Sequence, residues 1–489
     1  MSGPAPLPDC DLIFIDRSQN FFRTVDVDQL IPPDHVARLF WDVTGKLDLS
    51  AFYAPIKTKR GRAGRPTFDP RLLITIWLYA YKRGIGSARE IERMCQYDPG
   101  MQWLTAMRII NHHSLSDFRV EHDEALKGLF QQVLGMLMLK RMITLERVTQ
   151  DGTKILAKVR NNSFRRAGRI REHLEAARKH IEELGDPAAN PDRQKSAQRR
   201  AAKERAENLA EALEEIGKLQ ADSKKKEDDE QGPQASETEP EARFMRTHSQ
   251  GVAPCYNVQI TTDTTHGLIV DIEPTQAAND AHQLLPAMER VEAATGQKPK
   301  QVIADTDFTN HESVTAMAEQ GIDFYGSWKE SKKEKEKAAG FSREHFVWDA
   351  NRNEFTCPVG KVMRQISMQT TVKGTTWIYR VGKGECGQCA HRVECCGEDQ
   401  KADRSISRRV DAAVVAAFKT KMEQDAAKAI YKTRSAIAEF PNLWIKAKFQ
   451  LRQFRTQGLK KVRMELRWAG MAFNLLRYFQ LTTAQIKTA

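Results

Sequence analysis

Three carboxylates stand far apart in this chain of 489 residues, at Asp151, Asp305 and Glu439. Carboxylate oxygens are the ligands that hard divalent cations such as Mg²⁺ and Mn²⁺ prefer. Asp151 ends the short extended run Arg147-Val-Thr-Gln-Asp151, and Gly152-Thr153 follows, where the chain must turn or let something approach closely. Asp305 closes the apolar run Gln301-Val-Ile-Ala304, and Asp307 stands two residues on. Glu439 belongs to a late helical stretch that also carries Tyr431, Arg434 and Lys446. Two aspartates at neighbouring strand ends and a glutamate from a helix can bracket two divalent ions. Such a pair activates an attacking oxygen and stabilises the leaving oxygen of an in-line phosphoryl displacement. The ions also let the acids cluster without repelling one another. Arg434 would hold phosphate as a bidentate fork, Lys446 as a point charge, and Tyr431 would orient a DNA backbone. Taken singly, each acid reads as an ordinary turn cap or helix-face residue.

Composition narrows the partners. The net charge is +12 and the isoelectric point about 9.2, which favours a polyanion, nucleic acid being the commonest. A generically basic protein fits composition equally well. Mean hydropathy is −0.57, 29% of residues are charged, and no apolar run is long enough to cross a bilayer. The start, Met1-Ser-Gly-Pro-Ala-Pro-Leu-Pro-Asp-Cys10, lacks a basic segment ahead of an apolar one, so a cytoplasmic, membrane-free protein is expected. Eight cysteines in such a chain suggest metal where they cluster, not a disulfide scaffold.

The elements that would position these groups follow in order. Residues 1–56 read as an N-terminal arm with one or two small helices. Residues 57–141 read as a helical DNA-binding domain. It opens on the basic, Gly-rich stretch holding Lys59, Arg60, Arg62 and Arg65, suited to lie along phosphates. Leu72, Leu73, Ile76, Trp77 and Tyr81 form a helical stripe. After Arg83-Gly-Ile-Gly, Ser87 opens a second helix with Glu90 in the capping-box position, the outline of a helix-turn-helix. Ser114-Leu-Ser-Asp117 suggests a third start leading on to Leu139, with His112 and His113 as loop residues before it. Residues 142–162 and 243–327 supply strand, hairpin, helix, strand with aspartate, helix and strand. That order matches a mixed α/β sheet of the RNase H type. Residues 163–242 interrupt it with two heptad-like helices in an antiparallel coiled hairpin and a disordered return. Residues 328–410 are Cys-rich. Cys357, the pair Cys386-Gly-Gln-Cys389 and Cys395 could form a tetrahedral zinc site, with Cys396 or His391 as substitutes. Residues 411–489 carry the glutamate helix and a basic tail, including Arg452 and Arg455, with Trp444, Phe449 and Phe454 as stacking groups for DNA.

Read together, these motifs resemble the bacterial insertion-sequence transposases of the DDE class. The resemblance is to the branch whose C-terminal signature is tyrosine, arginine, glutamate, lysine. Asp151-Gly-Thr matches the first motif, Ala304-Asp305 with Phe308 the second, and Tyr431, Arg434, Glu439 and Lys446 the third. Gly64-Arg-Pro66 through Glu92 and the Cys357 to Cys395 insertion extend the likeness over most of the chain. It implies cleavage and strand transfer at transposon ends in double-stranded DNA, with Mg²⁺ or Mn²⁺, by a homodimer acting near the nucleoid. Two departures stand out. The second motif usually has glycine where Asp307 stands, and four residues, not three, separate Arg434 from Glu439. Asp307 is therefore a rival to Asp305, and Glu423 a distant rival to Glu439. A nuclease without strand transfer, or a decayed repressor that only binds DNA, are the competing functions.

Overall fold

Most helices in the first third begin where the sequence offers a capping side chain. His35 caps α1 (Val36–Thr44), and α2 (Ser50–Tyr53) follows without a side-chain cap. Asp69 caps α3 (Pro70–Lys82), Ser87 α4 (Ala88–Tyr97), Asp98 α5 (Pro99–Thr105) and Asn111 α6 (His112–Glu121), before α7 (Asp123–Leu139), which also lacks a side-chain cap. Each cap satisfies an N–H that the first turn leaves without a partner. The computed structural model describes residues 24–57, 66–184, 193–222, 232–247, 250–328, 341, 345–371, 374–396 and 403–488.

The helical region departs from expectation in three places. Residues 24–56 pack into the helical region instead of standing off as an arm, because Phe40, Val43 and Phe52 are buried and α1 packs on α3. His112 and His113 lie inside α6, not before it. Asn111 takes the N–H of His113 at 2.7 Å, and His112 Nδ1 sits 2.7 Å from Glu92. The long third helix is broken at His122 into α6 and α7. α3 is buried almost all round, from Leu73 to Tyr81, as suits a core helix.

The central elements are β1 (Arg147–Leu156), β2 (Phe164–Arg166), α8 (Ala167–Glu183), α9 (Arg193–Asp222), β3 (Gln234–Ser236), β4 (Arg243–Thr247), β5 (Gly251–Asp263), β6 (Leu268–Thr275), α10 (Leu284–Thr295), β7 (Gln301–Ala304), α11 (His311–Glu319) and β8 (Asp323–Tyr325). One mixed sheet joins β5, β1, β7 and β8 in that order, with β4 and β6 both pairing along β5. β5 runs antiparallel to β1, whereas β7 and β8 run parallel to it. α8 and α9 pack on each other through Ile170, Leu174 and Ala177 against Leu209, Ala212 and Ile216. Within the return, the residues from 232 on are ordered where disorder was expected, since β3 pairs with β2. There Glu239, fully buried, accepts hydrogen bonds from Tyr256 Oη (3.0 Å) and the Gly458 N–H (3.3 Å). α10 starts at Leu284 without a side-chain cap.

A second, antiparallel sheet holds β9 (Val347–Asp349), β10 (Glu354–Thr356), β11 (Val362–Thr371), β12 (Gly374–Arg380) and β13 (Ser405–Asp411), with α12 (Arg392–Cys396) before its last strand. Phe346, Phe355, Met363, Tyr379, Val381 and Ile406 form its core. Then come α13 (Ala413–Glu423), α14 (Asp425–Lys432), α15 (Arg434–Leu443), a π-helical turn (Trp444–Lys448) and α16 (Leu459–Thr488). α16 packs on β6, α3 and α7 together, so the first helices, the sheet and the last helix share one apolar core. Phe449 and Phe454 are each 1% exposed in that core and cannot stack on DNA as expected. Among the described residues no helix is long and apolar enough to cross a membrane.

Candidate active site

Strand register assembles the site. Gln150 on β1 pairs with Ala304 on β7, so Asp151 and Asp305 follow on neighbouring parallel strands. Asp151 does not end its strand: β1 continues to Leu156, held on the other side by β5, where Asp151 pairs with Ile260. Gly152 is thus a strand residue, and the close approach is made by Asp280. A Cβ at Gly152 would lie 2.4 Å from Asp280 Oδ1. Asp305 turns immediately onto its own loop, where its Oδ1 accepts the N–H of Asp307 at 2.8 Å and of Phe308 at 3.4 Å.

Helix α15 lies along β1. Arg434 Nη1 is 3.9 Å from Asp151 Oδ1, and Asn442 Nδ2 donates to Asp151 Oδ2 at 2.8 Å. Lys446 Nζ donates to Thr153 Oγ1. Arg434, Ala438 and Asn442 recur every four residues, so they share the face turned to the strand. Glu439 is next to Ala438, about 100° round the helix, and is exposed. Among the described residues no three His, Cys, Asp or Glu side chains gather closely enough to hold a metal ion. The two aspartates come together; the glutamate does not join them.

Burial pushes the Asp151 carboxyl up to about 6. Arg434 opposes this, and Asp305 and Asp280 add to it. Burial raises Asp305 as well, with Asp307 adding repulsion. Asp305 is one of the acids that Asp151 feels, and the Asp307 side chain is exposed. Two partly buried carboxylates, both disfavoured as anions, form a hard-oxygen pair whose repulsion a divalent cation would relieve. Carboxylate oxygens are the donor type such an ion prefers, and as placed the pair lacks a third acid ligand.

Two family models match the chain. A transposase domain (DUF772) covers residues 25–121, and a transposase DDE domain covers residues 356–479. The chain is an insertion-sequence DDE transposase. The second match includes α15 with Glu439, while Asp151 and Asp305 precede it. No curated protein matches the chain.

The remaining residues of this transposase divide sharply. Tyr431 lies in the last turn of α14, a separate helix from Arg434, and packs beside Ile303 and Tyr325. Lys446 is half-buried, and burial and Arg452 lower its pKa. Arg452 is exposed. Arg455 faces inward: its Nη2 donates to the Gly84 carbonyl at 3.4 Å, tying the last third to the turn after α3. Arg463 and Arg467 pair with Glu273 and Asp123, the latter at 2.6 Å. Much of the basic tail is therefore internal. Glu423, at the end of α13, is exposed. Lys59, Arg60, Arg62 and Arg65 lie outside the described residues. Cys357, Cys386, Cys389, Cys395 and Cys396 line one small cavity with His391, all as free thiols. Burial raises Cys386 and Cys395, and both feel Cys396.

Sequence reasoning missed Asn442 and Asp280. Neither stands in a recognisable motif. The only signal for Asn442 was its place three residues after Glu439, on a helix already under suspicion.

Proposed function

We propose that this transposase binds the ends of an insertion sequence in double-stranded DNA and catalyses metal-dependent cleavage and strand transfer. Asp151, Asp305 and Glu439 are the acids of the reaction. The observation that carries this is the β1–β7 register, which sets Asp151 beside Asp305 beneath a helix bearing Arg434. The strand order, with one antiparallel neighbour of β1 and two parallel strands beyond it, supports an RNase H-like core built from residues 142–162, 243–327 and 411–489.

Mg²⁺ or Mn²⁺ held there would activate the attacking oxygen and stabilise the leaving one. The chain's own groups do the rest. Asp151 and Asp305 offer anionic oxygens. Arg434, now near Asp151, has the fork geometry to grip a phosphate. Asn442 holds one Asp151 oxygen in place. Lys446 presents a half-buried charge for the DNA backbone. Glu439 joins the aspartates when α15 rotates by about 100°. Pro441 and the π-helical turn after it interrupt the regular hydrogen-bond ladder and give the helix a place to move. The helices of residues 57–141 bind DNA, and synapsis of two ends makes the protein act as a homodimer.

Labelled element ends incubated with protein and Mg²⁺ or Mn²⁺ test this. Joined products are expected. Nicks alone favour a nuclease, and bound but intact DNA favours a repressor. Asp151→Asn should abolish cleavage while DNA binding persists; retained cleavage refutes the assignment.

The cysteines line one cavity without gathering closely enough to hold an ion as placed, and the reading they support is a structural Zn²⁺ that would draw Cys357, Cys386, Cys389 and Cys395 together, with Cys396 as a rival ligand. Thiols grouped in one cavity are a soft donor set that suits this ion. Metal analysis of purified protein is expected to find one zinc per chain, and none removes the claim.

A further inference from the structure

Asp280 is 9% exposed in the loop between β6 and α10. Its Oδ1 accepts hydrogen bonds from Asn257 Nδ2 (2.8 Å) and Gln259 Nε2 (2.6 Å), both on β5. These donors are neutral amides. Gln259 stands opposite Gly152 in the register, and Asn257 opposite Lys154. Gln150 continues the same face, accepting from Thr261 at 2.6 Å and donating to Gln259 at 2.8 Å. Side chains alternate along a strand, so Asp151 points to the opposite face of β1. A buried carboxylate is thus pressed against Gly152 directly behind the metal-ligand candidate.

This arrangement is costly. A buried anion held by neutral donors loses hydration without a countercharge. Packing alone would be served by asparagine, which has the same shape and no charge. What the carboxylate adds is negative potential across one strand from Asp151, in surroundings that screen it poorly. It also occupies the space a side chain at position 152 would need.

We propose that Asp280 is a positioning residue for Asp151, acting through Gly152, and that its charge strengthens the hold of the site on divalent cations. The proposal rests on the reading of Asp151 as a metal ligand.

The test is calorimetric titration of the full chain with MnCl₂, beside Asp280→Asn and Asp151→Asn. Supporting groups around metal ligands are worth on the order of tenfold in affinity or more. Asp280→Asn is therefore expected to weaken Mn²⁺ binding about tenfold. The Mn²⁺ needed for half-maximal cleavage should rise to match, with DNA affinity unchanged and the melting temperature not lowered. If Asp151→Asn loses Mn²⁺ binding and Asp280→Asn does not, this proposal alone is overturned. If neither variant changes Mn²⁺ binding, the site reading falls and takes the proposal with it. Should Asp280→Asn fold poorly, Asp280→Ser repeats the measurement. Failure of both to fold makes Asp280 a structural residue and overturns the proposal.

Discussion

Gly152 shows how narrowly single residues define the site. Its backbone is ordinary strand, with no positive φ. Glycine is needed there for space, because any Cβ would meet the Asp280 carboxylate. Gly152→Ala should displace Asp151 by a fraction of an ångström to one ångström. Misplacement on that scale costs roughly a hundredfold in rate. Cleavage of labelled ends should fall by that factor while DNA binding holds; unchanged cleavage would show that the strand yields freely. The placement of Asp151 and Asp305 along extended runs was legible in the sequence, because an acid after a stretch rich in β-branched residues is a strong local pattern. Asn442 and Asp280 were not, because an amide on a helix and an acid in a loop acquire meaning only from what tertiary structure sets beside them. The exposed position of Glu439 was equally hidden, since helix periodicity gives a face but not the rotation of the helix.

At the scale of elements, the order of strands and helices was readable, and charge placement was not. Interleaved arginines and aromatics after Pro441 suggested a DNA-facing surface. The same pattern serves a helix whose arginines reach internal acids, and Arg463 and Arg467 do so. Likewise the polar segment after α9 looked unstructured, yet Glu239 within it meets the start of α16. Burial pushes the Glu239 carboxyl up to about 7, and its second oxygen, Oε2, is buried without a hydrogen-bond partner. The folded-state pKa lies above the ordinary 4.5, so the folded protein holds this proton longer than the unfolded chain. Stability from this group is full below pH 4.5 and is lost as pH rises through about 7. Glu239→Gln should therefore raise stability at pH 8 by on the order of 2 kcal/mol, and the gain should vanish near pH 4. Melting curves at both pH values check this; an equal effect at both contradicts a titrating carboxyl.

Across the whole molecule, the two regions matched by transposase families are not independent beads. Trp468 on α16 is 1% exposed, and its Nε1 donates to the Arg119 carbonyl of α6 at 3.4 Å. Trp468→Ala should cost about 3–5 kcal/mol. It should lower the thermal midpoint and make the N-terminal helices protease-sensitive along with the sheet. Sensitivity confined to one part would mean two separate cores. The sequence showed each part's helices, but nothing local in it could show that residues more than 300 apart close the same interior.

That closure has a bearing on how the protein is made. The helices up to Leu139 leave the ribosome long before α16 begins at Leu459. At roughly 5–20 residues per second, the delay is on the order of half a minute. Throughout that interval the face of α3 that α16 later covers stands open to water, an invitation to chaperones. A translation product that stops before α16 therefore leaves this face bare.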